Sequence, residues 1–158
     1  MKKLVGRLIE TFTLELGIKI QSASSTTLNR EDLRRGVEAD ECYYVANESA
    51  VRHREDIDLA RDPPPVLVVE IEVSRRVLGR LPIYAAMGVP EVWCYDGKTL
   101  RVSQLGGDGG YHESERSVAF PALPVAAVAR FLAEHATTDE TELVRAFRSW
   151  VRGHFELG

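Results

Sequence analysis

Lysine is scarce in this 158-residue chain: the only lysines are Lys2, Lys3, Lys19 and Lys98, and none falls between residues 20 and 97. A basic group in the middle of the chain therefore has to be an arginine or a histidine. Cysteine is equally sparse, and Cys42 and Cys94 show no CxxC or Cys/His spacing, which excludes a zinc site of the usual kind and reads as two buried thiols. No apolar run is long enough to cross a bilayer, so no membrane partner is expected. The N-terminal stretch MKKLVGRLIETF meets an acid too early for a secretory signal, and a cytoplasmic location is expected. A net charge of −4 excludes a constitutive basic coat for nucleic acid while leaving room for a local basic patch. The glycine cluster Gly106–Gly110, GGDGG, lacks the following helix of a phosphate-binding loop and reads as a hairpin turn. There is no internal repeat and no interdomain linker.

What is present is enough for one domain, residues 1–158, with a sizeable core: 44% hydrophobic and 28% charged residues. The chain is organised around Pro63–Val73, PPPVLVVEIEV, which reads as a buried central strand ending in paired acids. Alternation places Leu67, Val69, Ile71 and Val73 on one face and Val66, Val68, Glu70 and Glu72 on the other. Two buried carboxylates need compensation, for which a divalent cation with oxygen ligands is one solution. A strand end with both glutamates hydrated is the other.

Along the chain, Lys2–Leu16 has apolar residues at helical spacing and Gly17 to stop the helix, with Glu10 and Glu15 as solvated helix charges. Ile18–Ser22 reads as a short strand, Asn29–Gly36 as a helical turn, and Glu41–Ala46 as a strand with Asp40 at its entrance. On that strand Cys42 and Tyr44 share one face, Tyr43 and Val45 the other. Asn47–Asp62 is polar and irregular, with His53 in a surface loop. The prolines hold an extended approach to the central strand. A helix is predicted over Arg75–Met87, with Gly79 and Pro82 delaying its regular part and Gly88 ending it. Pro90–Tyr95 reads as a strand, turned by Asp96-Gly97 into a hairpin with Thr99–Leu105, and a further strand lies near Tyr111–Glu113. Two helices close the chain, Val125–His135 and Asp139–Arg152. The apolar stripe of the last, Leu143, Val144, Phe147, Trp150 and Val151, serves core or dimer packing. This order implies α/β or mixed α+β architecture around a mixed central sheet.

The succession GVEADECYYV, DPPPVLVVEIEVS and GRLPIYAAMGVPEVWCYDG, in that order and spacing, resembles the Uma-type restriction endonuclease family, a branch of the PD-(D/E)XK nucleases. The resemblance runs from about Leu4 through the C-terminal ELVRAFRSWVR. It implies a restriction-endonuclease-like core and a Mg²⁺- or Mn²⁺-dependent site acting on DNA. The family's motif aspartate falls on Asp40 and its strand glutamate on Glu70, which would bind the metal; Glu72 would be a further ligand or outer partner. The superfamily's lysine would fall on Glu72 and is absent. The helix lysine that Uma-type sequences place four residues before a tyrosine corresponds to Arg80, which would contact the scissile phosphate.

Arginine stabilises phosphate charge but does not readily give up a proton. Ala39 stands where a proline often precedes the aspartate, and Val66 where many relatives carry an acid. The resemblance also implies that the chain begins late, without a preceding segment that carries another acid. A basic groove would draw on Arg52, Arg54, Arg75 and Arg76. A homodimer is compatible with such an enzyme, which often pairs two sites.

Two readings stay open: a metal-dependent endonuclease, and a non-catalytic nuclease-fold module for nucleic-acid binding or protein association. A paired-carboxylate glycosidase is disfavoured, since Tyr43, Tyr44 and Trp93 sit in strands rather than on a sugar platform.

Overall fold

The computed structural model describes residues 3–23, 27–30, 35–53, 59, 61–71, 75–134 and 137–155. Its elements run α1 (Leu4–Leu16), β1 (Gln21–Ser22), β2 (Thr27–Arg30), β3 (Arg35–Glu38), β4 (Glu41–Tyr44), a 3₁₀ turn (Glu48–Ala50), β5 (Leu67–Ile71), α2 (Arg75–Met87), β6 (Glu91–Tyr95), β7 (Leu100–Leu105), β8 (Tyr111–Ser114), α3 (Val125–Ala133) and α4 (Glu140–His154).

Six strands form one mixed sheet in the order β1-β4-β5-β6-β7-β8. The β5–β6 pair is parallel, joined by α2 as a crossover, and every other neighbour is antiparallel. The expected mixed α+β architecture is therefore present, with β5 inside the sheet between β4 and β6.

Period-two alternation on β5 decides the two layers. Leu67, Val69 and Ile71 pack with Tyr43, Trp93, Tyr95 and the inner faces of α1, α3 and α4. Val68 turns the other way, with Cys42, Val92 and the Tyr84–Met87 face of α2. Glu70 shares this second face, under α2.

β5 begins at Leu67, four residues later than the Pro63 expected, and the last two residues of the expected strand, Glu72 and Val73, lie outside the described residues. Pro63–Pro65 have no N–H to offer the ladder, and two of their carbonyls go to side chains instead. Tyr44 Oη donates to Pro63 O and Asn47 Nδ2 to Pro64 O, both at 3.0 Å. The expectation of a helical turn over Asn29–Gly36 is corrected at both ends, which lie in an antiparallel pair, β2–β3, matching Thr27 with Glu38 and Arg30 with Arg35, while residues 31–34 lie outside the described residues. Two four-residue arms around a four-residue connector suit a hairpin, and cross-strand pairing outweighs the helical spacing of the charges. α2 is continuous across Gly79 and Pro82 rather than starting late. The buried Tyr84 and Met87 anchor it, so packing outweighs the one backbone bond that Pro82 forfeits.

α1 ends as expected at Gly17, which adopts φ 68° and caps the helix through its N–H. Glu15 is not merely solvated: it accepts from Arg148 Nε at 2.6 Å and Arg152 Nε at 2.9 Å, tying α1 to α4. In α4, Leu143, Phe147 and Val151 are buried in the core, with Val144 and Trp150 packed against it, so its stripe is accounted for within one chain. Tyr43, Tyr44 and Trp93 are likewise fully buried. Among the described residues no helix is long and apolar enough to cross a membrane.

Candidate active site

The antiparallel pairing of β4 with β5 matches Glu41 to Val69, which brings the residue before β4 level with the end of β5. Asp40 occupies that position. Its Oδ2 accepts the N–H of Ile71 at 2.9 Å, fixing the carboxylate beside the backbone that carries Glu70. Two acids thirty positions apart in the sequence are thus neighbours at one edge of the α2 face.

Glu70 itself is fully buried. Residues four apart on a helix share a face, so Arg80 and Tyr84 both project from α2 onto this carboxylate. Arg80 Nη1 donates to Oε1 at 3.1 Å and to Oε2 at 3.2 Å, and the Tyr84 hydroxyl donates to Oε1. The Arg80 side chain is 18% exposed, so the pair reaches solvent through arginine alone.

Burial pushes the Glu70 carboxyl above the ordinary carboxylate range. The Tyr84 and Arg80 hydrogen bonds and the guanidinium charge pull it back, while the charge of Asp40 adds to the rise. Burial and Glu70 together push the Tyr84 hydroxyl up, so it remains a donor. Beside Glu70 across the parallel pair lies Cys94, whose thiol is pushed up to about 11, first by burial and then by Glu70.

Of the residues the sequence singled out, Asp40, Glu70 and Arg80 come together. Glu72 lies outside the described residues, as do Arg54 and the side chains of Arg75 and Arg76. Arg52 is elsewhere engaged, donating from Nε to Glu48 Oε2 at 2.9 Å. His53 is exposed, with a positive φ of 66°. Among the described residues no group of three or more His, Cys, Asp and Glu side chains is placed to hold a metal ion.

Tyr84 entered the sequence reading only as a landmark for Arg80; its i+4 spacing could have assigned it to the same carboxylate. Glu91 was missed altogether. It is fully buried on the opposite face and accepts from Trp93 Nε1 at 3.1 Å, Gln104 Nε2 at 3.3 Å, Ser117 Oγ at 2.7 Å and the N–H groups of Val118 at 2.8 Å and Ala119 at 3.4 Å. With its oxygens so fully engaged, it is a structural anchor for the loop between β8 and α3 rather than a reactive group.

The family model for Uma2, described as a putative restriction endonuclease, matches residues 2–133. The match includes Asp40, Glu70, Glu72 and Arg80, and leaves α4 beyond it. Among solved structures, a putative nuclease belonging to DUF820 from Anabaena variabilis is similar at a TM-score of 0.50 and 12% identity, over 94% of this chain and 79% of that one. At that identity the likeness speaks for the fold, and it agrees with the mixed sheet and flanking helices. The comparison with curated proteins gave no match.

Proposed function

The chain belongs to the Uma2 family of putative restriction endonucleases, and on that premise we propose that it is a Mg²⁺- or Mn²⁺-dependent endonuclease hydrolysing DNA phosphodiester bonds. The observation that carries the reading is the Asp40 Oδ2 to Ile71 N–H bond, which sets Asp40 beside the buried Glu70.

The donor chemistry fits a hard divalent cation. Mg²⁺ is commonly held by one or two carboxylates, with water and substrate phosphate completing its shell, so a third protein acid is not required. Asp40 and Glu70 would hold it, and Glu72, two residues on, is the candidate for a further ligand or outer partner. Such a cation supplies charge neutralisation at the phosphate and a lowered pKa for water.

The chain's own residues do the rest. Tyr84 holds Glu70 in one orientation through its hydroxyl. Arg80, the counter-charge of Glu70, is the member of the pair that reaches solvent, and on leaving Glu70 it would offer its planar fork to the scissile phosphate.

A second reading has its own observation. Arg80 Nη1 already straddles both Glu70 oxygens, and it is an arginine where the family resemblance implies a lysine. That arrangement suits a nuclease-fold module that binds nucleic acid or a protein without cutting.

Cleavage of plasmid and single-stranded DNA with Mn²⁺ or Mg²⁺ separates the two. Cutting by the wild type that is lost in Glu70→Ala and in EDTA supports the enzyme. No cutting by a folded wild type supports the binding module.

A further inference from the structure

The sheet register draws a line across the α2 face. Glu70 is paired with Cys94 on β6, and Cys94 with Arg101 on β7. On β7 the neighbours Leu100 and Val102 pack into the core on the opposite face, so Arg101 faces the α2 side. The charges of Glu70 and Arg101 both act on the Cys94 thiol, as this alignment requires.

Arg101 therefore stands two strands from Glu70 on the same row, roughly 10 Å away at the usual strand spacing. That is too far to serve the acid pair and near enough to serve what lies beside it. Its side chain is 58% exposed, and its ion-pair partner is Glu113, 71% exposed, with Nε to Oε1 at 3.8 Å. So loose and solvated a pair contributes little and exchanges readily for another anion.

We propose that Arg101 is a positioning residue for nucleic acid, holding the backbone phosphate that flanks the one at the Asp40–Glu70 pair. The inference rests on the nuclease reading for its substrate. Arg80 and Arg101 then bracket the strand from α2 and β7. A phosphate contact of this kind fixes register and orientation while carrying no sequence information.

The test is fluorescence anisotropy with fluorescein-labelled duplex and single-stranded DNA, in EDTA so that nothing is cut, using the full chain. Arg101→Ala weakens binding about tenfold and lowers the slope of log affinity against log salt by about one. Glu113→Gln, which releases Arg101, tightens binding. Arg145→Ala serves as control, since Arg145 is also a well-exposed arginine, paired with Glu142 on α4, on the other side of the sheet, and it changes neither value. Arg101→Ala matching the wild type in affinity and salt slope overturns the inference, as does a wild type that binds neither DNA.

The nuclease reading fails separately. Arg101-dependent binding without any cutting leaves the positioning residue standing and removes the enzyme. Glu70-dependent cutting that is indifferent to Arg101 does the reverse.

Discussion

One guanidinium nitrogen of Arg80, Nη1, stands 3.1 Å from Oε1 and 3.2 Å from Oε2 of Glu70. A single donor bridging both oxygens counters the charge of the carboxylate. The contact explains how a fully buried acid is tolerated at the end of a central strand. It also sets the terms of the chemistry, because the arginine must leave Glu70 before it can meet a phosphate.

Arg80→Lys is the informative substitution. An ammonium keeps the counter-charge but offers a compact, titratable group in place of the fork. Cleavage in the plasmid assay rises about a hundredfold, the lower end of what general acid–base groups contribute. An unchanged or lower rate would remove proton transfer from the role of this position. Arg80→Ala, by contrast, strands a buried charge and destabilises the fold by about 3 kcal/mol in urea unfolding.

Tyr84→Phe removes one donor from Glu70 and leaves the packing of α2 intact. Hydrogen bonds to charged groups are worth about 1.5–3 kcal/mol, and a loss near the lower bound is expected in thermal unfolding. The carboxyl of Glu70, with less to hold its charge, titrates still higher, which carbon NMR of labelled glutamate reads directly.

The pH dependence follows from the direction of the Glu70 shift. Burial raises its folded value, so between the unfolded and folded values the native state holds a proton that the unfolded chain has lost. Glu70's contribution to stability is full below the unfolded value and falls as pH rises through the folded one. Glu70→Gln, which is never charged, should match the wild type in melting temperature near about pH 4 and exceed it near about pH 8. A difference that runs the other way would mean that Arg80 outweighs desolvation.

Glu91 predicts a purely structural phenotype. In Glu91→Ala, donors from Trp93, Gln104, Ser117, Val118 and Ala119 lose their common acceptor, and stability falls by about 4 kcal/mol. Glu91→Gln recovers part of this, because one amide oxygen remains while its NH₂ meets donors. DNA cleavage per folded molecule is unchanged in both, which distinguishes this buried acid from Glu70.

The layers of the fold were legible because they depend on local periodicity. The alternation of Leu67 to Ile71 sorted the two faces of β5, Asp96-Gly97 marked the β6–β7 hairpin, and Gly17 marked the end of α1. The hairpin β2–β3 was not legible, since the charges of Asn29–Gly36 suit a helix equally well and only pairing decides. At the site, Asp40 and Glu70 could be chosen from motif order, yet their adjacency depends on the register of β4 against β5. Glu91 was invisible for the same reason. Its donors come from β6, β7 and the loop from Ser117 to Ala119, and no local pattern announces a carboxylate that Trp93 on its own strand and four distant groups will share.

Manganese calorimetry on wild type, Asp40→Asn and Glu70→Gln tests most directly whether the two acids act as one cation site. A single site is expected in the wild type, weakened about tenfold or more in Asp40→Asn and lost in Glu70→Gln. Binding in the wild type releases protons and weakens as pH falls, because the cation displaces the proton that burial favours on Glu70. Equal manganese binding by all three proteins, or none by a folded wild type, would contradict the shared site.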